Sequence, residues 1–263
     1  MTAGDVVERV RKNLGVPWRE ATFRDTFKAG GPDTTVTGIA TTVFASYDMI
    51  QRAVAAGLNL IVPHEVTFWN DRDDINIVQA DPLYREKTEF LTRHNVVIFR
   101  VHDHMHDQRP DFLYVGSARE LGLDAKYETA PGSHRFTIPE TTLGRLAADV
   151  KKRVGARALR VVGDPNARVS RIQLGVGYAT PSVNDAAVDV VISGEQQEVD
   201  GGFDSPEYVL DAAALGIPKG WIMLGHAVSE EAGMLEMAQW ISRFVTEVPV
   251  RLVKAGEPFW APK

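Results

Sequence analysis

Short apolar runs alternate along this chain with stretches whose apolar residues recur at helical spacing, and that alternation limits the fold more than any other feature. Val36 to Val43, LNLIVP (58–63) and VVIFRV (96–101) read as buried strands, since short β-branched runs bounded by turn residues suit a sheet covered on both faces. Between them, residues 47–56 and 82–94 have helical periodicity, the first stopping at Gly57 and the second opening on Pro82. Residues 5–13 form a further helix and 110–121 another. The polar segment TFRDTFKAGGPDTT reads as an irregular loop. After Gly122 the pattern resumes, with strands at 135–138, 158–162, 169–175, 188–192, 221–224 and 248–253. Helices at 140–153, 205–215 and 228–245 lie between them. Alternating strands and helices predict an α/β fold with mostly parallel sheets covered by helices. The expected division is an N-terminal lobe, 1–125, and a C-terminal lobe, 126–263.

A chain of 263 residues, 44% hydrophobic and 24% charged, can bury a sizeable core. Its net charge of -6, with no basic stripe, argues against binding a nucleic-acid backbone. The apolar runs are too short to span a bilayer, and the polar N-terminus MTAGDVVERVRKN does not read as a secretion signal, so the expected location is the cytoplasm. There is no cysteine, so any metal ligands must be His and carboxylate.

The histidines are placed for that role. Five of the seven follow predicted strands: His64 after LNLIVP, His102, His104 and His106 after VVIFRV, and His226 after WIMLG. Strand ends are where ligands gather in open α/β sheets. His226 and Glu230, four positions apart at a helix start, share one helix face. Each piece has a plain alternative. A lone His after a strand is usually a polar strand end, HDHMHD can be a solvated loop, and Gly175-Val176-Gly177 can be a tight turn. Three such clusters at strand ends together point to imidazoles and carboxylates converging on divalent cations. Ser193-Gly194-Glu195 ends another strand and is a further candidate for the same region.

The segments LNLIVPHEVTFW, VIFRVHDHMHD, VVGDPNARVSRIQLGVGYA, VVISGE, WIMLGHAVSEEAGM and VPVRLVKAGEPF, in that order, resemble the NGG-one-interacting-factor-three-like family of dinuclear-metal-centre proteins, often labelled GTP cyclohydrolase I type 2 homologues. The resemblance implies two interlocked α/β lobes with a metal pocket between them at the strand ends. It also implies a homo-hexamer and two divalent ions from among Zn, Mn, Fe, Ni and Co. Family members carry a His-His pair, a His-x-x-x-Asp segment and a Gly-His-x-x-x-Glu motif. Matched onto this chain, these positions give His64 with Glu65, His102 with His106, and His226 with Glu230. Glu65 stands where a His is usual and His106 where an Asp is usual, so the set His64, Glu65, His106, His226 and Glu230 keeps three His and two carboxylates. Glu65 then takes the bridging role, with Asp103 or Asp107 as an alternative carboxylate. Trp18-Arg19-Glu20 and TTVFAS depart from the family pattern near the N-terminus. His102, Asp103 and His104 are the candidate proton carriers. The implied activity is a metal-dependent hydrolase acting on a small molecule such as a nucleotide or phosphate ester. The alternatives are a non-catalytic metal-binding ring and a chain that has lost its metal through the changes at 65 and 106.

Overall fold

The computed structural model describes residues 1–123, 127–179, 181–195 and 204–262, with the side chain of Asp204 also outside the description. The expected lobe boundary near residue 125 falls on residues 124–126, outside the described ones. Two compact units are present: Met1–Phe112 with Gly233–Ala255, and Leu113–Ala232 with Gly256–Lys263.

The first unit is built on a five-stranded sheet of order β1-β4-β3-β2-β10. Its strands are β1 (Phe27–Ala29), β2 (Ile39–Thr42), β3 (Leu60–Pro63), β4 (Val97–Phe99) and β10 (Val250–Leu252). Every pairing is parallel except that of β1 with β4. Strands β2 and β3 are buried throughout, which explains their unbroken apolar sequences. Against them pack Met49, Ile50 and Ala53 of α2 (Tyr47–Ala55) and Leu91 of α3 (Pro82–Arg93). Local chemistry fixes the helix ends. Thr2 and Asp5 form a reciprocal capping box on α1 (Ala3–Asn13), and Ser46 and Asp81 cap α2 and α3.

Two elements here depart from the sequence expectation. The segment read as an irregular loop contains β1, whose strand pairs antiparallel to β4 at the sheet edge. Its residues Phe27, Lys28 and Ala29 are only half-buried, so they lack the apolar signature of an interior strand. The HDHMHD segment is a short helix, α4 (Asp103–Asp107), which precedes α5 (Phe112–Leu121).

The second unit has a five-stranded sheet of order β5-β7-β8-β9-β6. Its strands are β5 (Arg135–Thr142), β6 (Arg160–Gly163), β7 (Arg168–Leu174), β8 (Val190–Ser193) and β9 (Gly220–Met223). The central β7-β8-β9 pairings are parallel, and the outer strands β5 and β6 pair antiparallel. Helices α6 (Leu143–Val154) and α7 (Asp204–Ala214) belong to this unit, with Val209 of α7 in a cluster around Trp221. Helix α8 (His226–Ile241) begins in the second unit and supplies residues 233–241 to the first. Among the described residues no helix is long and apolar enough to cross a membrane.

Candidate metal centre

In the first unit the carboxyl ends of β3 and β4 bring three imidazoles together. The ring centroids of His64 and His102 are 4.4 Å apart and nearly parallel, and His106 stands edge-on to both at 4.9 Å. One ligand atom from each of the three lies within 4.8 Å of the others, so this group can hold a metal ion.

The second nitrogen of each ring is already assigned. Nδ1 of His64 lies 3.2 Å from the Val101 carbonyl, which can only accept, so Nδ1 carries the proton. Nδ1 of His102 lies 3.0 Å from Asp103, and Nδ1 of His106 lies 2.9 Å from Asp111. Such outer partners fix ring orientation and leave Nε2 as the donor. Nε2 of His64 is buried without a hydrogen-bond partner. An unsatisfied buried acceptor is costly, and a cation is one of the few things that satisfies it. Burial, together with nearby His102 and His106, pushes the His64 pKa well below its usual value, so the ring stays neutral and its lone pair stays available.

Glu65 adds a carboxylate to this group. Its Oε1 lies 3.5 Å from Nε2 of His102, while Oε2 accepts from Nη2 of Arg100 at 2.9 Å. Arg100 is fully buried and also donates to the carbonyls of His64 and Asp71 and to the Asp71 carboxylate. It therefore staples the loop after β3 and sets the direction of Glu65.

Helix α4 holds His102 and His106 one turn apart. Its N-terminal N–H groups would be orphaned in a buried setting. Asp25 accepts from the backbone N–H of His102 at 2.5 Å and from those of Asp103 and His104 at 3.0 Å each. It also accepts from Nδ1 of His104. Nε2 of His104 accepts from the Arg19 N–H at 2.8 Å, and the ring stacks on Trp18 with centroids 3.8 Å apart.

These contacts sort the candidates read from the sequence. The structure places His64 and His106 in one cluster with His102, and Glu65 beside His102. His102, expected to carry protons, sits in the cluster itself. Asp103 orients His102 and is bound by Thr22 and Arg24. Burial raises its pKa, but those hydrogen bonds and the Arg24 charge bring it below the usual carboxylate range. His104 is fully buried, with its two ring nitrogens engaged by Asp25 and the Arg19 N–H. Asp107 is taken by Arg19.

In the second unit, Nε2 of His226 lies 3.3 Å from Oε2 of Glu230 on the same face of α8, as the i,i+4 spacing requires. Nδ1 of His226 lies 3.3 Å from Oε1 of Glu195, so the Ser-Gly-Glu strand end does reach this pair. Gly177 adopts φ +54°, and a Cβ there would stand 2.0 Å from Oε1 of Glu230 and 3.1 Å from Nε2 of His226. The glycine turn is thus a cradle for the carboxylate. Its N–H donates to Ser229 Oγ at 2.9 Å.

Sequence reasoning missed Asp25, Asp111 and Arg100. Arg100 left a trace, as a charged residue at the end of an apolar run. Asp25 left none, because it lies in a polar stretch far from the histidines it supports.

The sequence profile of Duf34/NIF3 (NGG1p interacting factor 3) matches residues 1–257. A Chlamydia pneumoniae protein named GTP cyclohydrolase 1 type 2 homolog is 24% identical over 243 residues, covering 88% of this chain and 89% of that one. The crystal structure of Staphylococcus aureus protein SA1388 superposes with a TM-score of 0.70 at 16% identity, covering 100% of this chain and 99% of that one. A structure titled protein ybgI, of unknown function, gives a TM-score of 0.71 at 19% identity, covering 98% and 100% of the two chains. At such identities these structures support the fold.

Proposed function

The chain belongs to the Duf34/NIF3 family, and on that premise we propose that it is a divalent-metal-dependent hydrolase of a small phosphate-bearing molecule. The observation that carries this reading is the buried, neutral Nε2 of His64, left without a protein partner beside His102 and His106. The proposed ligands are His64, Glu65, His102 and His106 from the first unit. From the second unit come His226 and Glu230, on the strength of the Gly-His-x-x-x-Glu motif. Nitrogen and oxygen donors without sulfur suit Zn, Mn, Fe, Ni or Co, and the proposed number is two ions.

Bound divalent cations supply Lewis acidity, which activates water near neutral pH and offsets charge developing on a phosphoryl oxygen. The chain's own residues present and hold the donors. Val101, Asp103 and Asp111 fix three ring orientations, and Asp25 fixes the start of α4, where His102 is the N-cap and His106 lies within the helix. Glu65, anchored on one oxygen by Arg100, keeps the other toward His102 as the carboxylate of the donor set. A homo-hexamer, which the family resemblance implies, is part of the proposal and is checked by mass photometry.

Elemental analysis of protein purified without added metal tests the core of this reading. Wild type is expected to retain transition metal, and His64→Ala to lose most of it together with phosphatase or nucleotidase turnover. Wild type without metal would end the proposal. Metal retained with no turnover across a broad phosphate-ester screen would reject the hydrolase step and leave a metal-binding protein.

A further inference from the structure

Strands β7 and β8 run parallel, so the chain between them, residues 175–189, must return along the sheet. Such a connection is usually a helix that covers the sheet beneath it. Here its described residues contain no helix. A cavity of about 390 Å³ lies within this second unit, lined from the sheet by Arg135, Gln173 and Leu174 and from the connection by Pro181, Asp185 and Val188. That volume falls in the range of roughly 300–1,000 Å³ typical of small-molecule sites. None of the lining residues belongs to the proposed donor set.

Specific contacts fix the walls. At Gly175 a Cβ would stand 2.2 Å from the Ala179 carbonyl oxygen and 2.6 Å from Cδ of Pro181, so only glycine lets the connection close this tightly. Buried Lys219 donates from Nζ to the carbonyls of two wall residues, Asp185 and Val188. The rings of Tyr114 and His134 also line the cavity, stacked with centroids 3.7 Å apart. His134 holds φ +54°, uncommon for a residue with a side chain. Its carbonyl accepts from the Leu174 N–H at 2.9 Å, and its N–H donates to Glu128 at 3.1 Å. Backbone strain of this kind recurs at ligand clamps.

Arg135 gives the cavity its chemistry. Its Nε donates to Oε1 of Gln173 at 2.7 Å, and its Nη2 donates to Oδ2 of Asp185 at 2.5 Å. Gln173 is itself oriented, because its amide nitrogen donates to the Ser133 carbonyl at 3.2 Å. A guanidinium has five N–H groups. Gln173 and Asp185 take two, which leaves both on Nη1 and one on Nη2 without a hydrogen bond among the described residues. That edge is the fork that grips an oxyanion through two parallel hydrogen bonds. Arg135 and Lys219 outnumber the Asp185 charge by one, which favours an anionic guest. The Tyr114–His134 stack, Leu174 and Val188 offer apolar surface for the rest of it.

We propose that this cavity is a second binding site, separate from the metal centre, for a small organic carboxylate whose acid group sits on the free edge of Arg135. Titration of the full chain with 4-fluorobenzoate, followed by fluorine NMR of the ligand, tests it against 4-fluorobenzamide, which has the same shape and no charge. Wild type is expected to bind the acid about tenfold more tightly than the amide. Arg135→Gln is expected to abolish that preference. Asp185→Asn removes the carboxylate that competes for the same guanidinium and keeps an acceptor for the Ala187 N–H, so acid binding is expected to tighten about threefold. Opposite signs in the two variants separate a binding role from general damage to the fold. Equal Kd values for acid and amide in wild type, a preference that survives Arg135→Gln, or equal weakening by both substitutions overturns the proposal. Inorganic phosphate that binds as tightly as the acid overturns the assignment of an organic guest. The titration is repeated after EDTA treatment. Persistent binding supports a separate site, whatever the fate of the hydrolase reading, and lost binding places the acid on a bound cation and overturns it.

Discussion

Two glycines share a left-handed backbone and differ in what a side chain would meet there, which makes Gly177→Ala a sharp test of the second-unit donor pair. At Gly177 (φ +54°) an added Cβ would stand 2.0 Å from Oε1 of Glu230, whereas at Gly155 (φ +66°) it would meet nothing within 4 Å. Placing alanine in this backbone region costs about 1–2 kcal/mol at either position. For a chain of this size that lowers the Tm by roughly 2–8 °C. Gly155→Ala is expected to show that loss alone. Gly177→Ala must in addition displace the Glu230 carboxylate, whose side chain is only 3% exposed and has little room to turn away from His226. Metal affinity should then fall by about 10–100-fold, the scale seen when the surroundings of a ligand are disturbed. Thermal melts of both variants, with metal titrations followed by elemental analysis, give the comparison. Equal metal affinity in the two alanine variants would refute the assignment of Glu230 as a ligand held by the glycine turn.

Asp25→Asn replaces an acceptor of three backbone N–H groups and an imidazole N–H with an amide that cannot accept on both ends. A stability loss on the order of 3 kcal/mol is expected in urea denaturation, with weakened metal binding through α4. Burial lowers the pKa of Lys87 from 10.5 to about 8, with its ammonium held by the carbonyls of Ala45 and Thr67. Between those values the unfolded chain binds more protons than the folded one. The Lys87 contribution to stability is therefore expected to rise from about pH 8 to 10.5 by on the order of 3 kcal/mol. Lys87→Met should remove that rise when unfolding free energies are compared across the interval. Removing bound metal with EDTA should lower the melting temperature of wild type and leave that of His64→Ala unchanged, because a ligand that binds only the folded state stabilises it.

Much of the fold could be read from periodicity because burial writes itself into sequence. LNLIVP and VVIFRV are apolar because β3 and β4 are buried on both faces. Edge strands carry no such mark, so β1 passed for a loop. The cluster was legible in the histidines that follow strands, since position along an element is a sequence property. The division of labour within HDHMHD was not legible. A five-residue helix turns His104 inward against Trp18 and Asp25 and leaves His102 and His106 together. That choice is made by Asp25, a residue 77 positions away from His102, and no local pattern announces it.

The three imidazoles of the first unit are each latched through one nitrogen, and the latches come from a backbone oxygen and two aspartates. The folded chain itself therefore orients these rings, with Nε2 left to face an ion. Mutational sensitivity then spreads beyond the donors: replacing Asp111, which has no part in holding the cation, would free a ring to spin or swap tautomer, and its neighbours would feel the change as a lost lone pair.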